Sequence, residues 1–155
     1  MLLVRPSSRI LQIESGTFSK LILESVLGFE VDDWCLIDTG LVKNYYKITS
    51  VDKNNNTLML EGNVSTNLIS SPIVDFGKNK SVGIGINGSV DNSLITPQSI
   101  SIFEFQESSK LLIPKIVLGK LPEEDQYGYA KGTYGLYAEN VLLKGSLVTQ
   151  TDFGN

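Results

Sequence analysis

The chain has 155 residues, 41% of them hydrophobic and 19% charged, with a formal net charge of −4. Those are the proportions of a folded domain rather than a disordered chain, and this length can bury roughly 70% of its unfolded surface without staples. An acidic balance with no basic run excludes a nucleic-acid surface on electrostatic grounds, and no apolar run approaches the ~18 residues of a spanning helix.

The opening residues MLLVRPSSRI hold too short an apolar stretch for a signal peptide, and Pro6 interrupts it. Synthesis in the cytoplasm is the expectation. From there the chain reads as strand after strand, with short apolar runs at spacings of about 8–12 residues and turn residues between them, the pattern of an all-β sandwich or barrel. Residues 9–14 alternate, with Leu11 and Ile13 on one face. Residues 20–26 follow; their β-branched character favours strand over the helix that the window 18–27 could otherwise form. A turn at Gly28-Phe29 leads to a strand at 34–38. Cys35 sits there between Trp34 and Leu36. A single cysteine cannot close an internal disulfide, and with no histidine in the chain to activate it a buried, inert thiol is expected. Strands at 44–51 and 57–61 flank Asp52-Lys53-Asn54-Asn55-Asn56, a hairpin tip, since asparagine and aspartate tolerate left-handed backbone. The same run opens like a calcium loop, but Thr57 stands where that loop needs glycine and Asn63 where it needs a bidentate glutamate.

After a polar connector, candidate strands fall at 72–76, 82–87, 99–105 and 111–119. The apolar parity slips between Ile100/Ile102 and Phe103/Phe105, which predicts a bulge or a strand buried on both faces. Pro114 lacks an amide donor, so its strand is expected to be an edge or broken there. Gly83-Ile84-Gly85-Ile86-Asn87-Gly88 is a literal GxGxxG. A turn composition follows it where a dinucleotide site needs a helix, so a glycine strand packed close to another backbone is the reading. Glu123, Glu124 and Asp125 are adjacent acids in a linker, and Glu104 and Glu139 are isolated in strands; none forms the spaced pair that glycoside cleavage needs. A serine hydrolase lacks its histidine base.

The segment from Tyr127 to Gln150 places aromatic residues and glycines ahead of a run that is apolar on both parities. Tyr134, Leu136, Ala138 and Leu142 fall on one, and Tyr137, Val141, Leu143 and Leu147 on the other. A strand of that kind needs cover on both faces, and pairing with copies of itself or a neighbouring domain would supply it. GTYGLYAENVLLKGSLVTQ, with Gly135 to Val141 and then Lys144 to Leu147 as its core, resembles a C-terminal phrase of tail-tip and tail-fibre proteins of long-tailed bacteriophages and prophages. GFEVDDW, NYYKITSVD and NNTLMLEG resemble a small β-barrel module of the same proteins, with Asp32 where glycine is commoner. PIVDFG and IVLGKLP are similar to their bridging segments.

The expected fold is therefore all-β: a small N-terminal β-barrel over 1–62, a connector at 63–70, a second antiparallel β unit at 71–121, and a linker with a C-terminal oligomerising strand at 122–155. The resemblance implies a non-catalytic structural part of a phage or prophage tail, located in the virion, working with other tail proteins and as a homo-oligomer, by analogy a trimer. Tyr127, Tyr129, Tyr134, Leu136, Tyr137, Val141 and Leu143 are the candidate oligomer interface, because tyrosine buries its ring while its hydroxyl still reaches water. Trp34, Tyr45 and Tyr46 could form an aromatic platform for a host surface glycan, or serve as core and cross-strand partners. The alternative function is a carbohydrate-binding module for such a glycan. No metal, cofactor, nucleic acid or membrane partner is expected.

Overall fold

A computed structural model describes residues 2–39, 41, 43–89, 95–121 and 132–148. Among these the chain is all-β, with eleven strands and a single 3₁₀ turn at Thr66–Leu68. Six strands close an antiparallel barrel in the order β2-β3-β6-β5-β4-β7, where β2 is Ser7–Glu14, β3 Phe18–Leu23, β4 Trp34–Asp38, β5 Lys43–Asp52, β6 Thr57–Glu61 and β7 Pro72–Gly77. The other five form an open antiparallel sheet in the order β1-β8-β9-β10-β11: β1 is Leu2–Val4, β8 Val82–Asn87, β9 Ser99–Gln106, β10 Leu111–Lys120 and β11 Tyr134–Ala138.

The barrel and the second antiparallel unit are as the sequence predicts, but the strands are shared out differently from the linear division at residues 62 and 71. The five barrel strands up to residue 61, β2 to β6, leave β2 and β4 with unpaired edges. β7, assigned by sequence to the second unit, fills that gap by pairing with both. β1, assigned to the barrel, instead becomes one edge of the open sheet by pairing with β8. The C-terminal strand is the opposite edge, zipped to β10 of its own chain from Lys120↔Tyr134 to Ile116↔Ala138.

Two cores result. Ile10, Leu21, Leu23, Phe29, Cys35, Ile37, Ile48, Leu58, Leu60 and Ile73 fill the barrel. The second core lies between the barrel wall and the sheet, where Leu36 and Phe76 meet Ile95, Phe103, Phe105 and Leu112. This explains why β4 is apolar on both parities: Cys35 and Ile37 point into the barrel, while Leu36 points out of it into the sheet. Phe76 stacks at 6.0 Å from Tyr45 and 5.7 Å from Phe105, centroid to centroid.

The parity slip expected in β9 is absent. Its burial alternates strictly, with Ser99, Ser101, Phe103 and Phe105 inward and Ile100, Ile102 and Glu104 on the other side. Two buried serines make this possible because each hydroxyl is partnered, Ser99 Oγ donating to the Thr96 carbonyl at 2.6 Å and lying 3.0 Å from Ser101 Oγ. The irregularity falls on β10 instead, between Pro114 and Ile116. β11 stops pairing at this point. The last contact of that ladder is Glu139 N donating to Lys115 O at 3.4 Å, next to Pro114.

Candidate functional site

The registers of the open sheet assemble its outer face. Leu2, Ile86, Ile100, Leu118 and Leu136 stand directly opposite one another in a row across all five strands. Val4, Ile84, Ile102, Ile116 and Ala138 form the adjacent row. Both rows are wholly apolar, and the opposite parity of the same strands packs on the barrel. Leu2 is 58% exposed, Leu118 56% and Leu136 60%. With Val82 and Tyr134 at the ends, the face presents on the order of 1,000 Å² of mostly apolar surface, against ~300–600 Å² for the largest patch on an ordinary monomer.

The glycines of β8 show why the isoleucines face outward. A Cβ built on Gly83 would stand 2.5 Å from Phe103 Cζ, and one on Gly85 2.5 Å from Ile95 Cδ1. The bare side of β8 is the packed side, because bulky side chains of its neighbours fill the space. The GxGxxG thus lies in a strand and its exit, as expected, but its close neighbours are the side chains of Phe103 and Ile95 rather than another backbone. A shallow depression of about 370 Å³ marks one end of the outer face, with Ile86, Gln98, Ile100 and Leu118 in its wall.

The rim carries charge of both signs. Lys120 continues the outward parity of Leu118 at one end of the strands, and Glu104 continues that of Ile102 at the other. Neither makes an ion pair among the described residues. Beside the Glu104 end, Lys115 Nζ meets Glu139 Oε1 at 2.9 Å, and that hydrogen bond raises the Lys115 ammonium above its ordinary value.

Of the interface residues expected from sequence, Tyr134 and Leu136 lie on this face, and Tyr134 donates its hydroxyl to Gln98 Oε1 at 2.8 Å. Tyr137 has the other parity, opposite the buried Val117, on the barrel side. Val141 and Leu143 are exposed beyond the end of β11, in a segment outside any strand. Tyr127 and Tyr129, like Glu123, Glu124 and Asp125, lie outside the described residues. Sequence reasoning missed Leu2, Val4, Ile84, Ile86, Ile100, Ile102, Ile116 and Leu118, because an apolar row reads equally well as a core face.

No protein-family model, curated protein or solved structure matches the chain.

The aromatic residues considered for glycan stacking are divided by the fold. Trp34 and Tyr45 pack against the core between barrel and sheet, and Lys110 Nζ sits 3.7 Å from the centroid of the Trp34 ring. Tyr46 packs against the barrel core. Burial raises the hydroxyl pKa of both tyrosines.

Two polar groupings remain. Asp75 has its side chain 1% exposed, with Arg5 Nη2 at 3.7 Å from Oδ1. Arg5 also donates from Nε to Asp75 O at 2.9 Å and from Nη1 to Val82 O at 3.1 Å. Burial, and then a hydrogen bond with Asp33, push the Asp75 carboxyl up to about 7. Cys35 lies beside it, and burial followed by the charge of Asp75 drives its thiol far above the usual range. In the Asp52 loop the carboxylate is occupied by its own turn, accepting from Asn54 N, Asn55 N and Asn55 Nδ2 at 3.0, 3.3 and 2.7 Å. The Asn55 amide bond is the main reason its carboxyl is held below the ordinary value.

Proposed function

We propose that the chain is a non-catalytic structural component of a phage or prophage tail, at the tail tip or in a fibre, that works as a homo-oligomer and presents a surface to a host receptor. The observation that carries the assembly reading is the outer face of the open sheet, apolar at all ten positions of two complete rows. A surface of this size exceeds what soluble monomers ordinarily leave in water and is comparable to the ~800 Å² per partner of a standard interface. The tail context rests on the resemblance of residues 132–150 and of the barrel segments, which also implies a trimer and other tail proteins as neighbours.

Light scattering coupled to size exclusion tests the reading on the full chain. A mass that is a whole multiple of 17.0 kDa, three-fold on the tail analogy, is the expected result. A monomer at every concentration would overturn the self-assembling role; a selective hit on a glycan array would then favour a carbohydrate-binding module.

A further inference from the structure

Resting on that reading, we infer that the partner covering the outer face is a second copy of this chain, laid on it with strand ends reversed so that Lys120 of one copy meets Glu104 of the partner subunit. The argument is one of register. Along the strands the outward positions run Lys120, then the row of Leu118 and Ile100, then the row of Ile116 and Ile102, then Glu104. The sequence of rows is one cation, two apolar layers and one anion, symmetric in spacing about the line between the two apolar rows. Turning a copy end for end about that line lays each apolar row on the other and brings the lysine end over the glutamate end. Within one chain the two charges are roughly 20 Å apart by strand rise, too far to pair.

A second copy also suits the chemistry better than a charged ligand. The face between the two rim charges has no charged residue and no buried polar group to satisfy, so only another apolar surface gains from covering it. Flat β faces stack about 10 Å apart, a gap that the long side chains of Lys120 and Glu104 can bridge. A contact of this kind is isologous and closes at two copies, so an assembly built only from odd rings of this chain would overturn the reversed register. Steering by opposite charges at the rim fixes orientation, while the apolar rows supply the affinity.

Four proteins measured by light scattering over about 1–100 μM test this: wild type, Ile100→Glu, Lys120→Glu, and Lys120→Glu combined with Glu104→Lys. All three positions are partly or fully exposed in the single chain, and matching far-UV circular dichroism checks that each variant folds. Ile100→Glu is expected to abolish assembly. Lys120→Glu should weaken it by about ten-fold or more by placing two acids together, and the double exchange should restore it. An oligomer indifferent to Ile100→Glu would overturn the assignment of this face while leaving the self-assembling role intact. An oligomer lost with Ile100→Glu but unmoved by Lys120→Glu, or not restored by the double exchange, would overturn the reversed register. A monomeric wild type would overturn both.

Discussion

Asp75 and Asp32 show how single residues depart from what their type would suggest. Asp75 is buried where barrel meets sheet, against Asp33 and under Arg5, and holds its proton to about pH 7. The unfolded chain releases that proton near pH 4. The folded state therefore binds more protons between those values, and the stability this group contributes is full in acid and is lost as pH rises toward 7. The urea midpoint of the wild type should fall between about pH 5 and pH 7.5 through this group, and Asp75→Asn should flatten that part of the profile. An unchanged slope in the variant would place the titration elsewhere. Asp32 has φ +71° and donates its amide to Ile48 O at 2.8 Å. The left-handed turn is thus made with aspartate, which tolerates it. Asp32→Gly should leave the thermal midpoint level or slightly higher, whereas Asp32→Val should cost about 1–2 kcal/mol. The exposed Lys47–Asp32 pair at 3.6 Å contributes little to either outcome.

At the scale of elements, β8, β9 and β10 reward and mislead a sequence reader in turn. The glycines of β8 were legible as a close approach, because a strand without side chains on one parity packs only where a neighbour fills the gap. Gly85→Val should cost about 1–3 kcal/mol, measured by urea titration, since its branches would collide with Ile95 and Leu3. β9 was not legible: its apolar residues change parity between Ile102 and Phe103, which predicts a bulge or two buried faces, and the fold instead keeps one register with Ser99 and Ser101 inward beside the phenylalanines. The space beside β8 is taken by Phe103 and Ile95, and the serines satisfy each other on the inner side. Pro114 was read as a break, and it lies at the β10 irregularity and at the end of β11 pairing. The apolar run past Ala138 does not continue as strand, although its alternation predicts one.

Across the whole molecule the barrel and the sheet share the core between them. Phe76 stands at its centre, flanked by Tyr45 and Phe105, so Phe76→Ala should cost about 3–5 kcal/mol. Unfolding should be a single transition, with the fluorescence of Trp34, which packs at that seam, coinciding with far-UV circular dichroism. Two separated transitions would show that barrel and sheet fold independently. Alternation and turn chemistry are local properties, written in neighbouring residues. For that reason the sequence by itself determined the all-β class, ten of the eleven strands and the Asp52 hairpin tip. Which strands close the barrel, which parity of the sheet is buried, and that β1 and β11 form its two edges depend on pairings between residues tens of positions apart. Only the tertiary structure decided those, because an apolar row looks the same in sequence whether it covers a core or faces solvent.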